Sequence, residues 1–138
     1  MITHGKPAAE VEIDERAAHA LLLDQHPDLA KLPLRHVDSG WDNVMFRLGD
    51  ELALRFPRRK IAAALIEHEQ TWLPTVARSL PLPVPLPLRV GQPGHGYPWC
   101  WSILPWLTGA TADQCTPRSD QAAIFGEFLA SLHRPAPP

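Results

Sequence analysis

The stretch Val44 to Phe56 reads VMFRLGDELALRF, and the fold turns on it. Apolar and polar residues alternate on both sides of Gly49-Asp50, which is the period of a half-buried strand, and Gly-Asp suits a tight hairpin turn. Two antiparallel strands are therefore predicted, Val44 to Leu48 and Glu51 to Phe56. Within ELALRF, Leu52, Leu54 and Phe56 point one way while Ala53 and Arg55 point the other. An apolar face suited to a core thus backs onto a face offering one small residue and one cation.

Working outward, Asp14 is a candidate N-cap for a helix over Ile13 to Gln25, with Ala17, Ala20, Leu21 and Asp24 at helical spacing until Pro27 stops the pattern. Leu34 to Val37 reads as a short strand, and Asp38, Ser39, Gly40, Trp41, Asp42 and Asn43 as a turn. Downstream, Ile61 to Leu73 (IAAALIEHEQTWL) is rich in helix formers and meets Pro74, which ends the helix or opens its final turn. Pro81, Pro83, Pro85 and Pro87 remove every second backbone donor, so that segment is an extended connector or an edge strand. Leu88 to Gln92 and Pro98 to Leu104 flank Pro93-Gly94-His95-Gly96 as a second hairpin. Ser119 or Asp120 caps a last helix running to His133, with Ala123, Phe125, Leu129 and Leu132 on its apolar side. The sum is an α+β fold: a five-stranded antiparallel sheet with a helix inserted after its third strand, an N-terminal helix and a C-terminal helix. Met1 to Glu10 has no periodicity, and residues 1–12 are read as a flexible N-terminus.

The bulk numbers narrow the function classes. A chain of 138 residues with 45% apolar and 20% charged residues builds one globular domain. A net charge of -2 and a pI near 6.4 argue against nucleic acid or an anionic membrane as partner. The longest basic run, Arg58, Arg59 and Lys60, reads as a solvated strand end. Cys100 and Cys115 are isolated thiols, no apolar stretch reaches membrane-spanning length, and a reduced, cytoplasmic setting is expected. The seven His lack metal-ligand spacing, and no G-x-S-x-G occurs.

On the residues alone, Arg55 is most simply an exposed Arg on a half-buried strand. The pair also suits a purine ring lying flat over Ala53 with Arg55 reaching its phosphates. Ahead of it lies the turn holding Ser39, Gly40 and Asn43, whose backbone N–H groups are placed to cover a triphosphate, although one Gly makes a poor glycine loop. Behind it lies the helix with Glu67 and Glu69. Either carboxylate can take the Arg55 fork, with Glu69 favoured.

Three stretches then carry a resemblance: DSGWDNVMFRLGDELALRFPRR (38–59), EHEQTWLPTVARSLPLPVPLPL (67–88) and GYPWCWSILPWLTG (96–109). In order and spacing they resemble segments of the aminoglycoside phosphotransferase family, a kinase-like fold, from about Ile13 to His133. The resemblance implies a nucleotide-binding N-lobe over residues 13–107, with Arg55 where protein kinases place their phosphate-binding Lys and Glu69 as its partner. It also implies a hinge over Ile103 to Leu107, so that Ile103, Leu104 and Trp106 lie at the purine edge. Residues 108–138 become the hinge exit, helix and proline-rich tail that enter a larger C-lobe. ATP or GTP is the implied nucleotide, and Mg²⁺ is bound only with the missing C-lobe. Its segment H-G-D-x-x-x-x-N and the later Asp are not in this sequence, so no catalytic residue is expected here and the chain alone is expected to be inactive.

The implied function is the nucleotide-binding lobe of an ATP- or GTP-dependent phosphotransferase acting on a small-molecule hydroxyl. The alternative is a non-catalytic truncated or regulatory module, and a weaker third reading takes Leu80 to Leu88 as a polyproline ligand. Trp99 and Trp101 read as core aromatics, yet with Phe125 and Phe128 they are also candidates for an exposed C-lobe-facing patch. If that patch exists, light scattering at high concentration will report self-association rather than a monomer.

Overall fold

The computed structural model describes residues 5–135; residues 1–4 of the expected flexible N-terminus and 136–138 of the proline-rich tail lie outside the described residues. Three strands follow the first helix: α1 is Glu15–Gln25, β1 Leu34–Ser39, β2 Asn43–Leu48 and β3 Leu52–Pro57. Helix α2 (Lys60–Val76) and a 3-10 turn (Ala77–Ser79) come next, then β4 (Arg89–Gly91), β5 (Trp101–Pro105) and α3 (Gln121–Leu132). The sheet order is β1-β2-β3-β5-β4, and each neighbouring pair is antiparallel. This is the expected α+β architecture, with the helix inserted after the third strand.

Local chemistry explains the elements and their departures from expectation. Asp14 caps α1, its Oδ1 accepting the Ala17 N–H at 2.8 Å. The β2–β3 turn takes three residues rather than two: Leu48 faces Leu52, and Gly49 sits at φ 59°, a left-handed position that glycine tolerates. Strand β1 runs to Ser39, with its register slipping between His36 and Asp38. Helix α2 continues past Pro74 to Val76; the proline removes the bond to the Gln70 carbonyl only, close enough to the end for the last turn to survive. In the second hairpin, Gly94 and Tyr97 exchange N–H···O bonds of 3.0 and 2.8 Å around His95 (φ 49°) and Gly96 (φ 80°), a two-residue primed turn. Strand β5 begins only at Trp101. At the last helix the expected cap is not made, because both oxygens of Asp120 are taken by Arg118.

One face of the sheet carries the core. Phe46, Leu48, Leu54, Phe56, Trp101 and Ile103 meet Ala18, Leu21 and Leu22 of α1. Phe56 and Trp101 stack at 4.9 Å with Tyr97 edge-on to Phe56 at 5.3 Å. Trp101 is 0% exposed, so it belongs to the core and not to an exposed patch; its indole also donates to the Gln92 carbonyl. Glycine at 91 is required by this ring, since a Cβ there would lie 1.8 Å from Trp101. The Tyr97 hydroxyl donates to the Pro57 carbonyl at 2.7 Å, and burial pushes the phenol far above its ordinary range, keeping it a neutral donor.

The opposite face takes α2. Gln70 Nε2 donates to the Trp101 carbonyl and to Ser102 Oγ, both at 2.9 Å, and Ala62, Ala63 and Ile66 are the buried residues of this helix. No residue of α3 is buried, and Ile124 and Phe125 are about half exposed. The expected loose N-terminus has no helix or strand over residues 5–12, yet Glu10 and Val11 donate to the Arg58 carbonyl. Glu10 Oε2 also accepts the Lys60 N–H at 3.0 Å, supplying the carboxylate that the α2 N-terminus lacks in its own sequence. Among the described residues no helix is long and apolar enough to cross a membrane.

Two substitutions test this packing by urea unfolding followed through tryptophan fluorescence. Gly91→Ala is expected to cost at least the ~1–3 kcal/mol typical of overpacking, because the obstructing atoms belong to a fixed ring. Tyr97→Phe, which strands the Pro57 carbonyl, is expected to cost about 1–2 kcal/mol with an unchanged m-value.

Candidate functional site

Arg55 stands mid-sheet, with Met45 of β2 on one side and Ser102 of β5 on the other. Its side chain is only 13% exposed, and its Nη2 donates to Glu69 Oε2 in a short contact. Of the two carboxylates on α2, Glu69 therefore makes the pair and Glu67 does not. Burial pushes the Arg55 guanidinium below its ordinary value, though an Arg in a protein stays protonated. Its Nε is buried without a hydrogen-bond partner among the described residues. The fork thus has one edge on a carboxylate and one donor unused.

Ala53 lies directly between Arg47 of β2 and Leu104 of β5, on the Arg55 face as the alternation required. Ala53 and Leu104 are each 2% exposed, so other side chains already cover this part of the face. Arg47 lies 4.5 Å from the ring centroid of Trp106. Ile103, expected at the purine edge, turns its side chain into the α1 core, and its carbonyl accepts the Leu88 N–H at 2.8 Å. The Trp106 N–H donates to the Glu51 carbonyl at 2.7 Å, whereas the Trp106 carbonyl and the Leu107 N–H have no backbone partner among the described residues. A free acceptor and a free donor therefore lie at the C-terminal end of the expected hinge.

The turn over residues 39–43 also differs from expectation. The Ser39 N–H bonds Asp38 Oδ1, the Gly40 N–H bonds the Asn43 carbonyl, and Ser39 Oγ lies 3.0 Å from His36 Nε2. Those two N–H groups are consumed inside the turn and cannot cover a ligand. Nor does the turn need its glycine, because a Cβ at Gly40 would meet nothing closer than 3.7 Å. What holds the turn was missed: Arg58 Nη1 donates to the Gly40 carbonyl at 2.6 Å and Arg59 Nη2 to Asp42 Oδ1 at 2.5 Å. The signal lay in the hairpin register, since pairing Asn43 with Pro57 brings the two arginines beside the turn. Asn43 Oδ1 is buried here without a partner. Among the described residues no group of three or more His, Cys, Asp or Glu converges as a metal site would require.

The arrangement of sheet and inserted helix has relatives. The model of the family described as APH, phosphotransferase enzyme family, matches residues 33–138. Among solved structures, the GDP complex of an aminoglycoside 2'-phosphotransferase-IIIa point mutant superposes with a TM-score of 0.75 at 17% identity, covering 86% of this chain and 41% of that one. The GDP and kanamycin complex of APH(2'')-IIIa gives 0.72 at 19%, covering 83% and 40%. ADP-bound APH(2'')-Ib gives 0.63 at 17%, covering 91% and 42%. This chain spans about two fifths of the length of those structures. No curated protein sequence matches it significantly. Because the family match takes in all five strands together with α2 and α3, the chain belongs to the APH phosphotransferase enzyme family.

Proposed function

We propose that this chain is the nucleotide-binding lobe of an ATP- or GTP-dependent phosphotransferase acting on a hydroxyl of a small molecule. One observation carries the reading: the buried Arg55 guanidinium is fixed by Glu69 on one edge and keeps an unpartnered Nε on another. A buried donor left unmade is costly, and phosphate oxygens are the acceptors a guanidinium fork fits. That relatives have been solved with GDP and ADP supports the same ligand class.

In this reading the lobe covers residues 13–107, and residues 108–138 lead out of the hinge. The base lies over Ala53 and Leu104, and its edge meets the Trp106 carbonyl and the Leu107 N–H. Arg55 holds the phosphates while Glu69 holds Arg55. The turn over residues 39–43 covers the phosphates through the N–H groups of Trp41 and Asp42, which have no backbone partner among the described residues, instead of those of Ser39 and Gly40. Mg²⁺ supplies charge neutralisation in phosphoryl transfer, but the described residues offer no ligand set for it, so no metal-dependent step is assigned to them. The lobe alone binds and orients; the transfer needs residues it does not carry. The aminoglycosides held by relatives are not carried over, because nothing on this face reads the hydroxyl substrate.

Titration with a fluorescent ATP or GTP analogue, with and without Mg²⁺, is expected to show saturable binding; its absence with both nucleotides would sink the reading in favour of a non-binding module. Arg55→Ala is expected to weaken binding about 10- to 100-fold, the loss of one or two charge-assisted bonds. Glu69→Gln acts only through the aim of Arg55 and is expected to cost less, while Glu67→Gln leaves affinity unchanged.

A further inference from the structure

We infer that Arg47 gates the base site, its stack on Trp106 spanning β3 on the Ala53 face in the place a purine would take. The inference rests on the Ala53 face being the base site. Arg47 belongs to β2, and Trp106 follows β5 and is anchored by its N–H to the Glu51 carbonyl. These two elements flank β3 and are separated by about 9–10 Å, twice the spacing of neighbouring strands. With the Arg47 guanidinium 4.5 Å from the Trp106 centroid, the two side chains together span the intervening strand. The residue opposite Arg47 on that strand is Ala53, whose single methyl group leaves room for the stack.

Burial is compatible with this arrangement. Ala53 and Leu104 sit on the face away from α1, the face that also takes α2, and each is 2% exposed. Arg47 Nη2 is tied to the Asp50 carbonyl at 2.9 Å, while its Nε is buried with no partner among the described residues. A cation over a flat aromatic with one donor unsatisfied is held weakly, and a purine is itself a flat aromatic. Base and guanidinium thus compete for one surface, and the base binds only to the fraction of molecules in which Arg47 has left it.

The test compares the chain with Arg47→Ala in titrations with fluorescent ATP and GTP analogues, with circular dichroism to verify the fold. Leaving the ring costs a cation–π contact of about 0.5–2 kcal/mol, so the variant is expected to bind both nucleotides about 2- to 30-fold tighter. Arg47→Gln, which keeps a polar side chain on the strand and drops the cation, is expected to shift affinity the same way if the alanine variant folds poorly. Binding by the variants alone also supports the gate. Unchanged or weaker binding in the variants, with the parent chain still binding, overturns the gate and leaves the nucleotide reading standing. Binding by neither parent nor variants overturns that reading, and the gate falls with it.

Discussion

A cation at position 55 cannot sit 13% exposed in the middle of a sheet without a counter-charge, and α2 exists where it does largely to bring one. The geometry that follows is constrained. Glu69 must face β3, which sets the rotation of α2, and the neighbouring Gln70 then falls against β5, where it bonds the Trp101 carbonyl and Ser102 Oγ. One ion pair and one amide thereby fix the helix over two strands, with only three small or branched residues, Ala62, Ala63 and Ile66, buried beneath it.

The two faces of the sheet divide the labour. On the α1 side, stacked Phe56 and Trp101 with Tyr97 edge-on make a dry core, closed by a glycine that lets the indole lie on the backbone of β4. On the α2 side, polar groups are set into that same slab: Arg55 and Ser102 share one row, and Arg47 lies in the next. A rigid apolar layer behind a polar one holds the guanidinium groups in place, which is the preorganisation that anion binding rewards.

Much of the architecture was legible in the chain because alternation and turn residues are local signals. VMFRLGDELALRF contained both strands, the turn and the opposition of Leu54 and Phe56 to Ala53 and Arg55, and Asp14 announced the cap of α1. Legibility failed where a contact joined distant segments. Arg58 and Arg59 read as a solvated strand end, yet the pairing of β2 with β3 lays them on the turn 17 to 18 residues earlier. Trp101 looked equally suited to a core and to an exposed patch, since an indole fits either.

By itself the sequence determined the strand periods, the side of β3 on which Arg55 emerges and the turns marked by Gly49 and Gly96, because each depends on a residue's own backbone and its near neighbours. Only the tertiary structure decided which glutamate meets Arg55, that Ile103 turns into the core, and that Arg47 lies against the Trp106 ring. Those outcomes depend on helix rotation and strand register, which are set by packing between segments far apart in the chain.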